Sequence, residues 1–481
     1  MLLVFGVIAV ILIVTALASG IVERSPLSFP LMFLGLGLLL GERGFGAIEL
    51  GPHDQVLEVT ATLTLSLVLF LDAAQLQVEE MGRRWLVPFL ILGPGTALVI
   101  SLGAVPLALL VGFGWVVAFI GGAILASTDP VVLREILRDH RIPRSVRQVL
   151  RIEAGMNDIV VLPVILVLIA VATGDVGGGG QWVSFLLKLL VLGPAIGFAV
   201  GGVGAWLMSR ADRAFGVRRE HQALYGIGLV LAAYTAATAA GGDGFLGAFA
   251  AGLSVVVLNQ ALCDCFLDYG ETTAEVAMLL TFVLFGAVLS GILGSVDWVP
   301  AILLGVFVIF VIRPSVLSAV LFKAHMSWEA KAFICWFGPR GLNSLLLALL
   351  VVVAGIEGSE LLLATVGVVV IGSVFIHGAT ATPFSAWYGR KAEVETFDEE
   401  REGTVAGLFG SHEDQIPVIT VDALNELMNS DSPPVVLDVR SRAHYETDGG
   451  QIPGGIRVLP HEVTDWASDQ SHDRLVVAYC T

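Results

Sequence analysis

Thr128-Asp129-Pro130 interrupts an apolar stretch over roughly 115–136, and Gly338-Pro339-Arg340-Gly341 interrupts another over roughly 328–354. Proline removes a helix hydrogen-bond donor and clashes with the preceding turn. Each break also carries a charged residue, which an ordinary proline kink does not need. The two stretches are the fifth and twelfth of thirteen apolar spans along the chain, at about 2–20, 27–40, 55–74, 85–110, 115–136, 149–172, 182–208, 222–240, 245–258, 272–290, 298–322, 328–354 and 360–383. Repeats of spans 1–6 and 8–13 would superpose the two breaks. Interrupted spans at matching places in two halves point to an inverted-repeat transporter with its site at the membrane midplane.

The composition agrees with a polytopic membrane protein. Of 481 residues, 56% are hydrophobic and 14% charged, against about 25% charged in soluble domains. That excludes a soluble enzyme, a disordered chain and a nucleic-acid-binding protein. The apolar runs are continuous rather than alternating, so the spans are helices and not barrel strands. The first 20 residues lack a basic n-region and read as a retained helix. With the N-terminus outside, sixteen Lys and Arg fall in cytoplasmic segments and only Arg43 in an external loop, which sets the orientation. Most of the net charge of −17 belongs to the segment from Lys391 onward, where 18 acidic residues face 6 basic ones. The four cysteines form no disulfide framework, and no metal site is expected.

Six ionisable residues lie at bilayer depth: Asp72, Asp129, Glu153, Asp158, Arg313 and Arg340. Lys188 is nearer a span end, where it can snorkel. The sixth span opens Arg151-Ile152-Glu153-Ala154-Gly155-Met156-Asn157-Asp158. Glu153 and Asn157 share a helix face, and Asp158 points about 100° away from Asn157. Arg313 and Arg340 need anionic partners, and Glu153 can pair with either. Asp158 has no cation in its sequence neighbourhood, so it can hold a proton or a cation. Asp129 can cap the half-helix that begins at the break. Thr128 adds a hydroxyl, and Asp72 a second acidic oxygen donor or an interfacial cap.

These motifs together resemble the monovalent cation:proton antiporter family, in the Na⁺/H⁺ branch typified by NhaP and the animal exchangers, over about residues 1–390. The resemblance implies an all-α polytopic fold of about thirteen transmembrane helices, with inverted repeats and two broken crossing helices. It implies a homodimer. It makes Asp158 the carboxylate shared by Na⁺ and H⁺, oriented by Asn157, with Asp72, Thr128 and Asp129 around the ion. Glu153 pairs with Arg340 or Arg313. Ala154 stands where some members place a serine, which leaves Na⁺, Li⁺ or K⁺ open as the cargo. Asn157 replaces the first of two aspartates found in members that move two protons, so one cation is expected per proton. No cofactor is expected. The protein should be integral to a bacterial inner membrane, with its tail in the cytoplasm.

Residues 391–411 read as an acidic linker, and 412–481 as a small α/β domain. A helix from Val421 to Asn429 is followed by Val435-Val436-Leu437-Asp438-Val439-Arg440, then Gly450-Gln451-Ile452-Pro453-Gly454-Gly455, then Leu475 to Cys480. This pattern resembles the first two-thirds of a rhodanese domain, with Cys480 at the place of the sulfur-carrying cysteine. The loop that would cradle a persulfide is missing after Thr481, so the domain is expected to be incomplete and inactive in sulfur transfer. The alternatives to an antiporter are a membrane-anchored sulfurtransferase or redox sensor, for which thirteen spans are far more than anchoring needs, and a channel.

Overall fold

The structure is a computed structural model that describes residues 6, 9, 13, 17, 28–75, 90–139, 141–174, 176–258, 260–322, 326–395, 419, 421–430, 433–440, 450–458, 463–468 and 475–479. The chain forms two compact units, Met1–His412 and Glu413–Thr481.

The first unit is helical. Its described elements are α1 (Phe29–Leu40), α2 (Gln55–Ala74), α3 (Ile91–Val111), α4 (Trp115–Ala126), α5 (Pro130–Arg138), α6 (Arg144–Thr173), α7 (Gly179–Phe215), α8 (Arg219–Ala239), α9 (Gly244–Leu258), α10 (Gln260–Ile292), α11 (Trp298–Val320), α12 (Trp328–Trp336), α13 (Leu342–Val353) and α14 (Ser359–Glu395). They cover twelve of the thirteen expected spans. The expected span at 2–20 lies outside the described residues apart from four isolated positions. Among the described residues, nine stretches are long and apolar enough to cross a membrane, and α1, α9 and α13 are shorter apolar helices.

Local sequence sets the ends. Asp54, Asp297 and Ser327 cap α2, α11 and α12 by accepting from backbone N–H groups one or two residues inside each helix, which satisfies donors the helix leaves open. Wide π turns sit at Ile91–Gly95, Lys188–Leu192 and Phe307–Ile312. Each contains or precedes a proline, Pro94, Pro194 or Pro314, whose missing N–H such a turn accommodates.

Small residues set the close approaches. A Cβ on Gly37 of α1 would collide with the backbone of α10 at Val283 and Gly286, and one on Gly197 of α7 with the backbone of α9 at Gly247. In lipid, where apolar burial between helices gains little, such contact is what joins them.

Both expected breaks are present. The chain leaves helical geometry between α4 and α5 at Ser127–Asp129, and again between α12 and α13 at Phe337–Gly341. The breaks meet: the Asp129 N–H donates to Pro339 O at 2.9 Å.

The second unit has a three-stranded parallel sheet in the order β2-β1-β3, with β1 Val435–Asp438, β2 Ile456–Arg457 and β3 Val476–Tyr479. Helices α15 (Val421–Met428) and α16 (Val463–Ser468) complete its described elements. Asp438 and Arg440 of the expected Asp-Val-Arg strand form a buried ion pair at 2.6 Å. The Arg440 hydrogen bonds hold the Asp438 carboxyl down at about 2. Cys480 lies outside the described residues.

Candidate functional site: a crossing of two broken helices

A helix break at bilayer depth leaves carbonyls at one end and N–H groups at the other, with no water to satisfy them. Three charged side chains do so here, and a fourth pairs with one of them. Arg340 donates through Nη1 to Ala126 O at 3.1 Å and Ser127 O at 3.0 Å, at the carbonyl end of α4. Arg313 donates to Ile334 O, Cys335 O and Phe337 O at 2.5–2.8 Å, at the carbonyl end of α12. Asp129 serves both N–H ends: Oδ1 accepts from Val131 N of α5 at 2.8 Å, and Oδ2 from Leu342 N of α13 at 2.6 Å. Glu153 accepts from Arg313 Nη2 at 2.8 Å. Cations thus sit on the negative helix ends and an anion on the positive ones.

Two glycines make room for these charges. A Cβ on Gly338 would fall on the Arg313 guanidinium, and one on Gly341 on the Asp129 carboxylate. The Gly-Pro-Arg-Gly motif therefore supplies one charge and clears space for two more.

Glu153 meets Arg313 and not Arg340, which resolves the choice left open by the sequence. Arg340 takes carbonyl partners, and its backbone N–H donates to Ser373 Oγ of α14 at 2.7 Å. His377, one turn further along α14, places Nε2 3.1 Å from Trp336 O and Nδ1 3.1 Å from Ser373 Oγ.

Asp158 sits beside this crossing and is 1% exposed. Oδ1 accepts from Ser127 Oγ at 2.5 Å, and Oδ2 from Asn343 Nδ2 at 2.6 Å. Both partners are neutral, and no cation pairs with Asp158 among the described residues.

Asn157, expected to orient Asp158, does something else. Its Nδ2 donates to Ala126 O at 2.6 Å, and its Oδ1 lies 3.4 Å from Thr96 Oγ1. Neighbours on a helix diverge by about 100°, so Asn157 faces α3 and α4 while Asp158 faces the crossing. Thr128 is buried and directs its hydroxyl to Glu153 O at 3.5 Å. Asp72 on α2 is 7% exposed, its Oδ2 has no partner among the described residues, and it lies within electrostatic range of Asp158 and Asp129. A cavity with space for about one water is lined by Thr96, Glu153, Asn157, Arg313 and Arg340, among others. Among the described residues no group of His, Cys, Asp and Glu has the arrangement of a metal site.

Ser127, Asn343, Ser373 and His377 were not singled out by the sequence. The first two lie within three residues of the breaks, and that proximity is the signal available for them.

Apolar spanning helices with two breaks crossing beside a buried acid are the architecture of the broken-helix class of membrane folds. Residues 8–387 match the family described as sodium/hydrogen exchanger, transmembrane, and the chain belongs to that family. It is 27% identical over 386 residues to the K⁺/H⁺ antiporter NhaP of Alkalimonas amylolytica, covering 79% of this chain and 66% of that protein. It is 28% identical over 381 residues to the K⁺/H⁺ antiporter NhaP2 of Shewanella sp. strain ANA-3, covering 78% and 65%. The chain thus spans just under two thirds of the length of these relatives. Among solved structures, the sodium proton antiporter MjNhaP1 of Methanocaldococcus jannaschii at pH 8 shares the fold, with a TM-score of 0.64 and 18% identity over 81% of this chain and 98% of that one.

Proposed function

We propose that the protein exchanges a monovalent cation for a proton across the membrane by alternating access, with Asp158 as the carboxylate that both ions occupy in turn. The observation that carries this reading is the isolation of Asp158: a buried acid at the crossing, held by two neutral side chains, while Glu153 and Asp129 are committed to Arg313 and to helix N–H groups. Asp72 supplies a further carboxylate oxygen nearby. Na⁺ and K⁺ are both candidates, since two relatives are named for K⁺ and the structural neighbour for sodium. The test is cation-driven proton movement in everted vesicles, with Na⁺, Li⁺ and K⁺ added separately. The absence of a pH change on adding any of the three would refute exchange of these cations for protons, and current without countertransport would make the protein a channel.

Exchange should be electroneutral. Asn157 carries no exchangeable proton, so one proton leaves Asp158 for each cation that enters. A membrane potential imposed across proteoliposomes with no pH gradient is expected to drive no uptake. A clear voltage-driven flux would require a second proton carrier, with Asp72 the first to test.

The proposed setting is a homodimer in a bacterial inner membrane, N-terminus outside, with the linker at 391–411, whose first residues continue α14 to Glu395, and the rhodanese-like domain at 412–481 in the cytoplasm. That domain regulates and does not transport. Removing everything after Glu395, where α14 ends, should leave exchange intact while shifting its pH dependence or maximal rate. Complete loss of exchange in a well-inserted deletion would place the tail within the carrier.

A further inference from the structure

The two side chains that touch Asp158 share a chemical property. A hydroxyl can donate or accept by rotating its O–H, and a carboxamide by turning its plane over. Ser127 and Asn343 are therefore ambivalent partners, and both now act as donors to the carboxylate. The charged groups around them are otherwise committed. Asp129, in the first break, accepts from the N-termini of α5 and α13. Glu153 on α6 is paired with Arg313 on α11. Arg340, in the second break, faces the Ala126 and Ser127 carbonyls. Asp72 on α2 is a buried acid and offers no cation. The ionised form of Asp158 thus rests on Ser127 and Asn343.

Asn343 is held firmly in that position. It is the second residue of α13, the helix begins with the Leu342 N–H bound to Asp129, and its side chain is 1% exposed. It also comes from the second repeat and reaches an acid of the first, 185 residues away.

We propose that Asn343 reads the loading of Asp158. Its N–H holds the empty carboxylate. After a half-turn of the amide plane, its carbonyl oxygen accepts from the O–H of the protonated acid or faces the bound cation. The proposal rests on Asp158 being the exchanging carboxylate. An oxygen lone pair that accepts from N–H cannot hold a proton or a cation at the same contact, so the donor competes with both ions. Removing the carboxamide weakens the empty form more than the protonated one, because a hydrogen bond to a charged acceptor is about twice as strong as one between neutral groups; it also takes a carbonyl oxygen from the bound cation, so protons gain over cations.

The test is exchange against pH in proteoliposomes holding the full chain as wild type, Asn343→Ala, Asn343→Ser, Asn343→Asp and Asp158→Asn. Wild type should exchange and Asp158→Asn should not. Asn343→Ala should raise the pH of half-maximal exchange by about one unit, a tenfold change in competition by protons. Asn343→Asp can only accept while ionised and adds a like charge, so its profile should move further the same way. Asn343→Ser, with an ambivalent hydroxyl, should fall between alanine and wild type. If the alanine chain does not insert, the serine and aspartate profiles carry the test. Profiles of the Asn343 variants superposing on wild type, with Asp158→Asn inactive, overturn the proposal. So does loss of exchange at every pH in Asn343 variants that remain inserted and thermally stable, which would make Asn343 an obligatory ligand. Exchange by Asp158→Asn at the wild-type rate overturns the underlying assignment instead.

Discussion

Asp158→Asn is expected to reduce cation-driven proton movement to the background of empty vesicles, with the protein inserted and folded. The substitution keeps size and removes the exchangeable proton. It also spares the fold: the Ser127 hydroxyl can turn to donate to or accept from the new carboxamide, and Asn343 can present its carbonyl to the new N–H. No charge pair is broken, because Asp158 has no cationic partner among the described residues. Everted vesicles from matched expression levels check the result. Activity at the wild-type level would move the ion site elsewhere, with Asp72 the next candidate.

Glu153→Gln should act on stability before transport. Arg313 is 3% exposed, and its only carboxylate partner among the described ion pairs is Glu153. Removing one side of a buried pair costs roughly 3–5 kcal/mol, since the remaining charge stays in a low dielectric. The three carbonyls that Arg313 also engages should hold the loss near the lower figure. A reduced thermal midpoint in detergent, with the cation preference of the surviving protein unchanged, is the expected outcome. An unchanged midpoint with transport abolished would instead make Glu153 a transport carboxylate.

The spans and breaks could be read from the sequence because each is a local pattern: apolar runs of membrane length, then proline and charge within four residues. The isolation of Asp158 was legible for a similar reason, since cations are scarce at bilayer depth. The partners of each charge were less accessible. Glu153 could be matched to an arginine by chemistry alone, but choosing Arg313 over Arg340 required knowing that Gly338 opens space for one guanidinium while the carbonyl end of α4 receives the other. Ser127 and Asn343 are single small polar residues beside apolar runs, and what makes them matter is a meeting across the repeats. Asn157 shows the opposite error. It adjoins Asp158 in sequence, yet helical geometry turns it toward Ala126.

The caps on the two breaks have a consequence for coupling. With Arg340 and Arg313 on carbonyl ends, Asp129 on N–H ends and Glu153 on Arg313, these four charges compensate one another without Asp158. In the proposed exchange, a carrier loaded with a proton or a monovalent cation is then neutral at Asp158, and the unloaded carrier bears a negative charge there. Carrying an uncompensated charge through the membrane interior costs several kcal/mol. Under the proposed exchange the unloaded protein would be discouraged from turning over, and slippage, in which one ion runs downhill with nothing returned, would be suppressed by the way four helix ends are capped.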